Sequence, residues 1–212
     1  MKKGSLEVIC GSMFSGKTEE LMRRLRRAEF AKQNILTIKH KIDVRKSYEC
    51  IVSHNGAKRE AFAFDGTVQC LEKILKLSEG HEVVGLDEIH FFIPQIIETI
   101  KALVDNGKRV IIAGLDIDFR GEPFAITATL LAIADEVTKL KAICVKCGKD
   151  AKHNQRIING NPAKYDDPII LVGAEECYEA RCRDCFEIEK PAKDSSINIF
   201  PSSKTKITEN EI

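Results

Sequence analysis

Apolar and polar residues fall along this chain in two alternating kinds of block. Short apolar stretches at Leu6 to Cys10, Ile35 to Ile38, Val83 to Leu86 and Arg109 to Ala113 have the length and density of strands buried on both faces. Between them, apolar residues recur every three or four positions: Leu21, Met22, Leu25 and Ala28; Val68, Leu71, Ile74 and Leu75; Ile96, Ile97, Ile100, Leu103 and Val104. That spacing lays one apolar stripe along a helix. The pattern predicts a helix ending at Asn34, one over Gly66 to Ser78 and one over Gln95 to Asn106, with Pro94 at its start and Gly107 closing it. A further helix over Thr127 to Ala134 and a last strand over Glu136 to Ala142 complete the series. Strands alternating with helices predict an α/β fold built on a mostly parallel, doubly wound sheet over residues 1–142.

Chemistry enters at the strand tips, where open α/β sheets gather their ligands. Gly11-Ser12-Met13-Phe14-Ser15-Gly16-Lys17-Thr18 has the form G-x4-G-K-[ST] and joins the first strand to the first helix. Glycines let successive N–H groups curl inward around phosphate, Lys17 would reach the β/γ-phosphates, and the Thr18 hydroxyl would ligate Mg2+. The strand Val83 to Leu86 runs into Asp87 and Glu88. In a chain with such a loop, the first carboxylate orients Mg2+ and the second, facing away by strand alternation, could reach a nucleophile. Asp43 and Arg45 follow the second strand and could serve Mg2+ and phosphate. Phe119 and Phe124, judged alone, read as core. Arg23, Arg24, Arg26 and Arg27 read as a solvated helix face or one used between subunits.

Composition narrows the partners. The chain has 212 residues, 33 basic against 32 acidic side chains and a net charge of +1, so nothing draws it to a nucleic acid. Its apolar runs are strand-sized and Met1-Lys2-Lys3-Gly4 has no signal-peptide core, which points to a soluble, cytoplasmic protein with no membrane partner. The character changes at Cys144-Val145-Lys146-Cys147 and Cys182-Arg183-Asp184-Cys185. Two C-x2-C pairs offer four thiolates to one metal, at the base of a long insert that holds a hairpin around Asn159-Gly160-Asn161-Pro162. Cys10, Cys50, Cys70 and Cys177 read as small buried hydrophobes. From Pro191 onward Ser, Lys, Thr and Glu dominate, the composition of a disordered tail. By themselves these residues leave open a P-loop ATPase in which Glu88 activates water, or a non-catalytic nucleotide-binding protein.

In order, GSMFSGKTEELMRRLRR, KIDVR, VVGLDEIHFF, AGLDIDFRGEPF, CVKCG and PIILVGAEECYEARCRDC make the chain resemble the type II thymidine kinases, the zinc-containing cytosolic kind, over residues 5 to about 187. The resemblance implies a P-loop NTPase-like (RecA-like) nucleotide-binding domain over 1–142, a zinc-anchored lasso domain over 143–190 that closes over the nucleoside, and a tail over 191–212. It implies transfer of the ATP γ-phosphoryl group to the 5′-hydroxyl of thymidine, giving dTMP and ADP for DNA precursor salvage. Gly11, Ser12, Met13, Phe14, Ser15, Gly16, Lys17, Thr18, Asp43, Arg45 and Asp87 would hold MgATP, with Thr18 and Asp87 on Mg2+ and Glu88 as general base. His90 stands in this set where the family motif has Gln, bringing a titratable ring near the phosphates. Cys144, Cys147, Cys182 and Cys185 would bind structural Zn2+. Ile169, Ile170, Leu171, Val172 and Gly173 would read thymine through backbone groups, while Met13, Leu115, Phe119 and Tyr178 enclose it, which displaces the core reading of Phe119. A homotetramer and feedback inhibition by dTTP are further implied.

Overall fold

The computed structural model describes residues 3–42, 50–52, 56, 58–169 and 177–189. In chain order the first eight strands are β1 (Ser5–Gly11), β2 (Ile35–His40), β3 (Cys50–Val52), β4 (Lys58–Glu60), β5 (Phe62–Phe64), β6 (Val83–Asp87), β7 (Arg109–Gly114) and β8 (Glu136–Leu140). All but the antiparallel pair β3–β4 form one parallel sheet in the order β5-β2-β6-β7-β1-β8. The helices are α1 (Lys17–Phe30), α2 (Val68–Leu77), α3 (Ile96–Asp105) and α4 (Ala125–Ile133).

Period-two alternation within the strands sorts the core into two layers. Leu6, Val8, Leu36, Ile38, Val84, Leu86, Val110 and Ile112 share one face with Leu71 and Ile74 of α2, Ile100 and Leu103 of α3, and Leu130 of α4. Ile9, Val83, Ile111 and Ala113 take the other face, against Leu21, Leu25 and Ala28 of α1. Helices on both faces make the sheet doubly wound, as the sequence pattern predicts. Each fully buried Leu or Ile contributes roughly 1.5–3 kcal/mol. A Cβ on Gly85 would lie 2.8 Å from Leu25 Cδ1, so the absence of a side chain there lets α1, and the loop that precedes it, seat close to β6.

Several details depart from the sequence reading. Helix α1 stops at Phe30, short of Asn34, because Lys32 turns left-handed (φ 56°) and the Gln33 N–H closes onto the Ala28 carbonyl. Strand β2 runs on to His40, α4 begins at Ala125 and ends at Ile133, and β8 stops at Leu140. Val68 opens α2 facing solvent, off the buried stripe, and Cys50 is half-buried, while Cys10 and Cys70 are buried as expected. Arg24 is not on a solvated face: it is 7% exposed and donates to Glu7 (2.6 Å), Glu20 (2.8 Å) and Thr138 (2.7 Å), with Glu136 at 2.9 Å. Glu7 lies inside an apolar strand, so nothing adjacent in sequence signals the pair.

Beyond β8 come β9 (Ala142–Ile143), β10 (Asp150–Ala151), β11 (His153–Ile158), β12 (Asn161–Pro162) and β13 (Cys177–Arg181). They form two small antiparallel sheets, β10-β9 and β12-β11-β13. Asn159 (φ 50°) and Gly160 (φ 80°) make the two-residue turn of the β11–β12 hairpin, the turn their residue types favour. The expectations placed on Asp43, Arg45, Ile170, Leu171, Val172, Gly173 and residues 191–212 lie outside the described residues.

Candidate active site

The loop between β1 and α1 has the backbone a phosphate cradle needs. At Gly11 (φ 144°) a Cβ would fall 2.3 Å from the Leu140 carbonyl oxygen, so only glycine fits. Phe14 (φ 64°) and Gly16 (φ 84°) are both left-handed, which curls the loop onto the N-terminus of α1. Lys17 Nζ donates back across the loop to the Ser12 carbonyl (2.7 Å). One residue on, the Thr18 hydroxyl donates to Asp87 Oδ2 (3.0 Å), and Asp87 Oδ1 accepts the Glu88 N–H (3.0 Å). Lys39 of β2 is fully buried and in register with Asp87.

Glu88 is placed by strain, not by the strand alternation the sequence reading invoked. Strand β6 ends at Asp87, and Glu88 adopts left-handed φ 54°, ψ 43°, a conformation that costs a non-glycine residue on the order of 1 kcal/mol or more. A short 3-10 turn over Ile89–Phe91 follows at once. Within it, His90 Nδ1 accepts the Leu115 N–H (3.1 Å), so the ring's remaining proton sits on Nε2, 3.5 Å from Glu88 Oε2. Phe91 and Phe124 flank the His90 ring at 4.1 and 4.8 Å. His40 stands nearby at the tip of β2, held below the usual imidazole range by burial, with Asp65 and Glu88 opposing that shift.

The loop after β7 forms the opposite wall. Asp118 knits it together by accepting from the Arg120 N–H, the Glu122 N–H and Arg120 Nε, and Asp116 is paired with Lys139 at 2.8 Å. Leu115 is half-buried and Phe119 buried. Two residues of β11 that the sequence reading missed tie these pieces together. Asn154 accepts the Met13 N–H (2.7 Å) and donates to the Ile117 carbonyl (2.9 Å). Arg156 lies 4.0 Å over the Phe119 ring and donates to the Tyr178 hydroxyl and to the Pro168 and Ile169 carbonyls. Ser12 adds a bond to the Ala151 carbonyl (3.3 Å). Thus Gly11 to Thr18, Asp87, Glu88 and His90 are brought together on one side and Phe119, Ile169 and Tyr178 on the other, with the Leu115 N–H joining the second side to His90.

Cys144, Cys147, Cys182 and Cys185 place four sulfur atoms within 4.8 Å of one another, Cys147 and Cys182 at 3.5 Å. A tetrahedral thiolate site has S···S edges of about 3.8 Å, given metal–sulfur bonds of about 2.3 Å. Burial opposes ionisation of Cys144, but backbone N–H groups from Cys182, Lys146 and Cys147 outweigh it and bring the thiol down to about 6. Cys185 is pushed up to about 12 by hydrogen bonds shared with Cys147 and Cys182. Four thiols this close ionise together only around a cation, and the cluster could hold a metal ion.

A family model described as thymidine kinase matches residues 4–186. The chain belongs to the thymidine kinase family. The match includes the phosphate loop, the Asp87-Glu88 pair and all four clustered cysteines. A thymidine kinase of Coprothermobacter proteolyticus is 56% identical over 186 residues, 87% of this chain and 91% of that protein. Among solved structures, a DNA replication initiation factor aligns with a TM-score of 0.41 and 13% identity over 64% of this chain and 40% of its own. The genome-packaging NTPase of Sulfolobus turreted icosahedral virus 2, in complex with ATP-γ-S, aligns with a TM-score of 0.44 and 17% identity over 66% of this chain and 75% of its own. Membership of the family therefore rests on the sequence matches. Among the described residues, no helix is long and apolar enough to cross a membrane.

Proposed function

We propose that the protein transfers the γ-phosphoryl group of ATP to the 5′-hydroxyl of thymidine, releasing ADP and dTMP. The observation that carries this reading is the 3.0 Å contact of the Thr18 hydroxyl with Asp87, immediately beside Glu88, in a chain of the thymidine kinase family. Two hard oxygen donors so placed suit Mg2+. Bound there, Mg2+ supplies charge neutralisation for the β- and γ-phosphates. The loop from Gly11 to Gly16 and the N-terminus of α1 hold the same phosphates, Lys17 leaves the Ser12 carbonyl for the β/γ oxygens, and Asp43 and Arg45 serve Mg2+ and the phosphates respectively. Glu88 takes the 5′-hydroxyl proton as general base, with His90 bordering it on the nucleotide side. Little more is asked of the protein, because phosphoryl transfer depends mainly on positioning and charge neutralisation. Met13, Leu115, Phe119 and Tyr178 enclose thymine, and the backbone of Ile169 to Gly173 reads its polar edge.

The four-sulfur cluster suits structural Zn2+, bound by Cys144, Cys147, Cys182 and Cys185 at the root of a lasso domain over 143–190 that serves the nucleotide-binding domain over 1–142. A thiol-rich metal site supports a cytoplasmic setting. Helix α4, AITATLLAI, has no charged residue, and its Ala125, Ala128, Thr129, Ala132 and Ile133 are exposed. An apolar surface of this kind supports self-association; a homotetramer and feedback inhibition by dTTP follow from membership of the thymidine kinase family.

The test is ADP release from MgATP with and without thymidine, alongside direct detection of dTMP. Release that depends on thymidine and is matched by dTMP is the expected result. Release indifferent to thymidine overturns the reading in favour of an ATPase in which Glu88 activates water.

A further inference from the structure

Arg156 is 1% exposed and, among the described residues, heads the largest side chains that are fully buried. Every hydrogen bond its guanidinium makes among the described residues ends on a neutral oxygen: Nε on the Tyr178 hydroxyl (2.7 Å), Nη1 on the Pro168 carbonyl (2.5 Å) and Nη2 on the Ile169 carbonyl (2.5 Å). The cation also lies over two rings, 4.0 Å from Phe119 and 5.3 Å from Tyr178. Desolvating a guanidinium on carbonyls and rings is expensive compared with filling the space with Met or Leu. What Arg alone supplies is a rigid planar fork that grips two successive carbonyls while its face stacks on an aromatic ring. Removing it would free the carbonyls of Pro168 and Ile169 and the Tyr178 ring from Phe119 simultaneously.

We infer that Arg156 is a positioning residue for nucleoside recognition: its fork fixes the Pro168 and Ile169 carbonyls and the Tyr178 ring relative to Phe119. This rests on the proposed assignment of those groups to thymine. Arg156 acts through them and leaves the phosphate loop alone, since none of its bonds reaches Gly11 to Thr18. Loss of the fork therefore loosens thymidine binding and the discrimination built on it, while ATP binding is untouched.

The experiment compares KM for thymidine and for ATP in the wild type, Arg156→Lys, Arg156→Met and Tyr178→Phe, with melting temperatures measured in parallel. We expect KM for thymidine to rise about tenfold or more in both Arg156 variants, equivalent to two hydrogen bonds at their usual net strength, with KM for ATP within about twofold. Arg156→Lys does not rescue, because an ammonium cannot span both carbonyls and the hydroxyl in one plane. Tyr178→Phe keeps the ring, removes the acceptor of Nε, and should raise KM for thymidine by a smaller factor. A folded Arg156→Lys with unchanged KM for thymidine overturns the inference, as does a parallel rise in both KM values, the mark of a general structural role. If both Arg156 variants fail to fold, an unchanged KM for thymidine in Tyr178→Phe overturns it equally. Wild-type protein that does not phosphorylate thymidine removes the underlying assignment and the inference with it, an outcome distinct from a competent wild type whose variants are unaffected.

Discussion

Asn154→Ala removes two hydrogen bonds that cross the candidate site, the Met13 N–H to Oδ1 (2.7 Å) and Nδ2 to the Ile117 carbonyl (2.9 Å). Asn154 is buried, so water does not take its place freely. At about 1–1.5 kcal/mol for each bond, the loss should come to about 2–3 kcal/mol. For a domain of this size that is a fall of roughly 5–10 °C in melting temperature. Part of it should appear as function, because Met13 belongs to the phosphate loop and its amide would no longer be anchored. We expect weaker ATP binding by calorimetric titration, together with lower stability in urea unfolding. Asn154→Asp keeps an acceptor for Met13 but sets a carboxylate against the Ile117 carbonyl, so it should recover ATP affinity more fully than stability. Asn154→Ala within about 0.5 kcal/mol of wild type and with unaltered ATP affinity would refute the reasoning, since a buried bridge of two bonds cannot be removed at so small a cost.

Other consequences follow from single contacts. Glu88→Gln should keep ATP affinity and lose about 10²–10⁴-fold in turnover; unchanged turnover in a thymidine-dependent assay would take Glu88 out of the base role. Glu7 accepts from Arg24 and Arg109 (2.6 and 2.5 Å); burial pushes its pKa up, but the two guanidiniums more than offset this and hold it below the usual carboxylate range. Its ionisation therefore stabilises the fold above the unfolded value of about 4.3, and that stability is lost as pH falls through the folded pKa. Glu7→Gln should cost about 3 kcal/mol at pH 7, and urea titrations should show the gap from wild type closing in acid; a gap independent of pH would argue against the pairing. Elemental analysis should find about one zinc per chain, abolished in Cys185→Ser along with several degrees of melting temperature. His90→Gln should preserve turnover, because an amide can accept from Leu115 and donate to Glu88, whereas His90→Leu should lower kcat with little change in KM for ATP; equal activity of the two would mean that the 3.5 Å contact does not matter.

Some of this could be read in the sequence and some could not, for reasons of distance and direction. Strands buried on both faces and helices with one apolar stripe announce themselves through local spacing, and β1, β2, β6 and β7 with α1 to α3 lie where the pattern puts them, give or take their ends. The Asn159-Gly160 turn and the cysteine pairs are equally local. Arg24 was misread because its acceptor Glu7 is 17 positions away and its hydroxyl partner Thr138 is 114 away. The placement of Glu88 was given the wrong cause, because strand alternation ends where the backbone turns left-handed. Phe119 is buried, as its residue type alone suggested, but what covers it is a guanidinium from a strand that hydrophobicity does not mark.

That strand, β11, explains why the missed residues are the connecting ones. His153-Asn154-Gln155-Arg156 is entirely polar, so neither period two nor period 3.6 shows in its hydrophobicity, yet the alternation of a strand still sorts it. Asn154 and Arg156 share one face and reach the phosphate loop and the Phe119–Tyr178 wall. His153 and Gln155 take the other, where His153 stacks on Phe186 (4.4 Å) and Gln155 exchanges hydrogen bonds with the Glu187 backbone (2.9 and 2.8 Å). Phe186 and Glu187 directly follow Cys185. One strand thus stands between the second cysteine pair and both walls of the candidate site, so that a metal-bound cluster would hold the back of β11 while its front holds the site. A polar run can be as strictly specified as an apolar one; its specification lies in the partners, and those are far away in the chain.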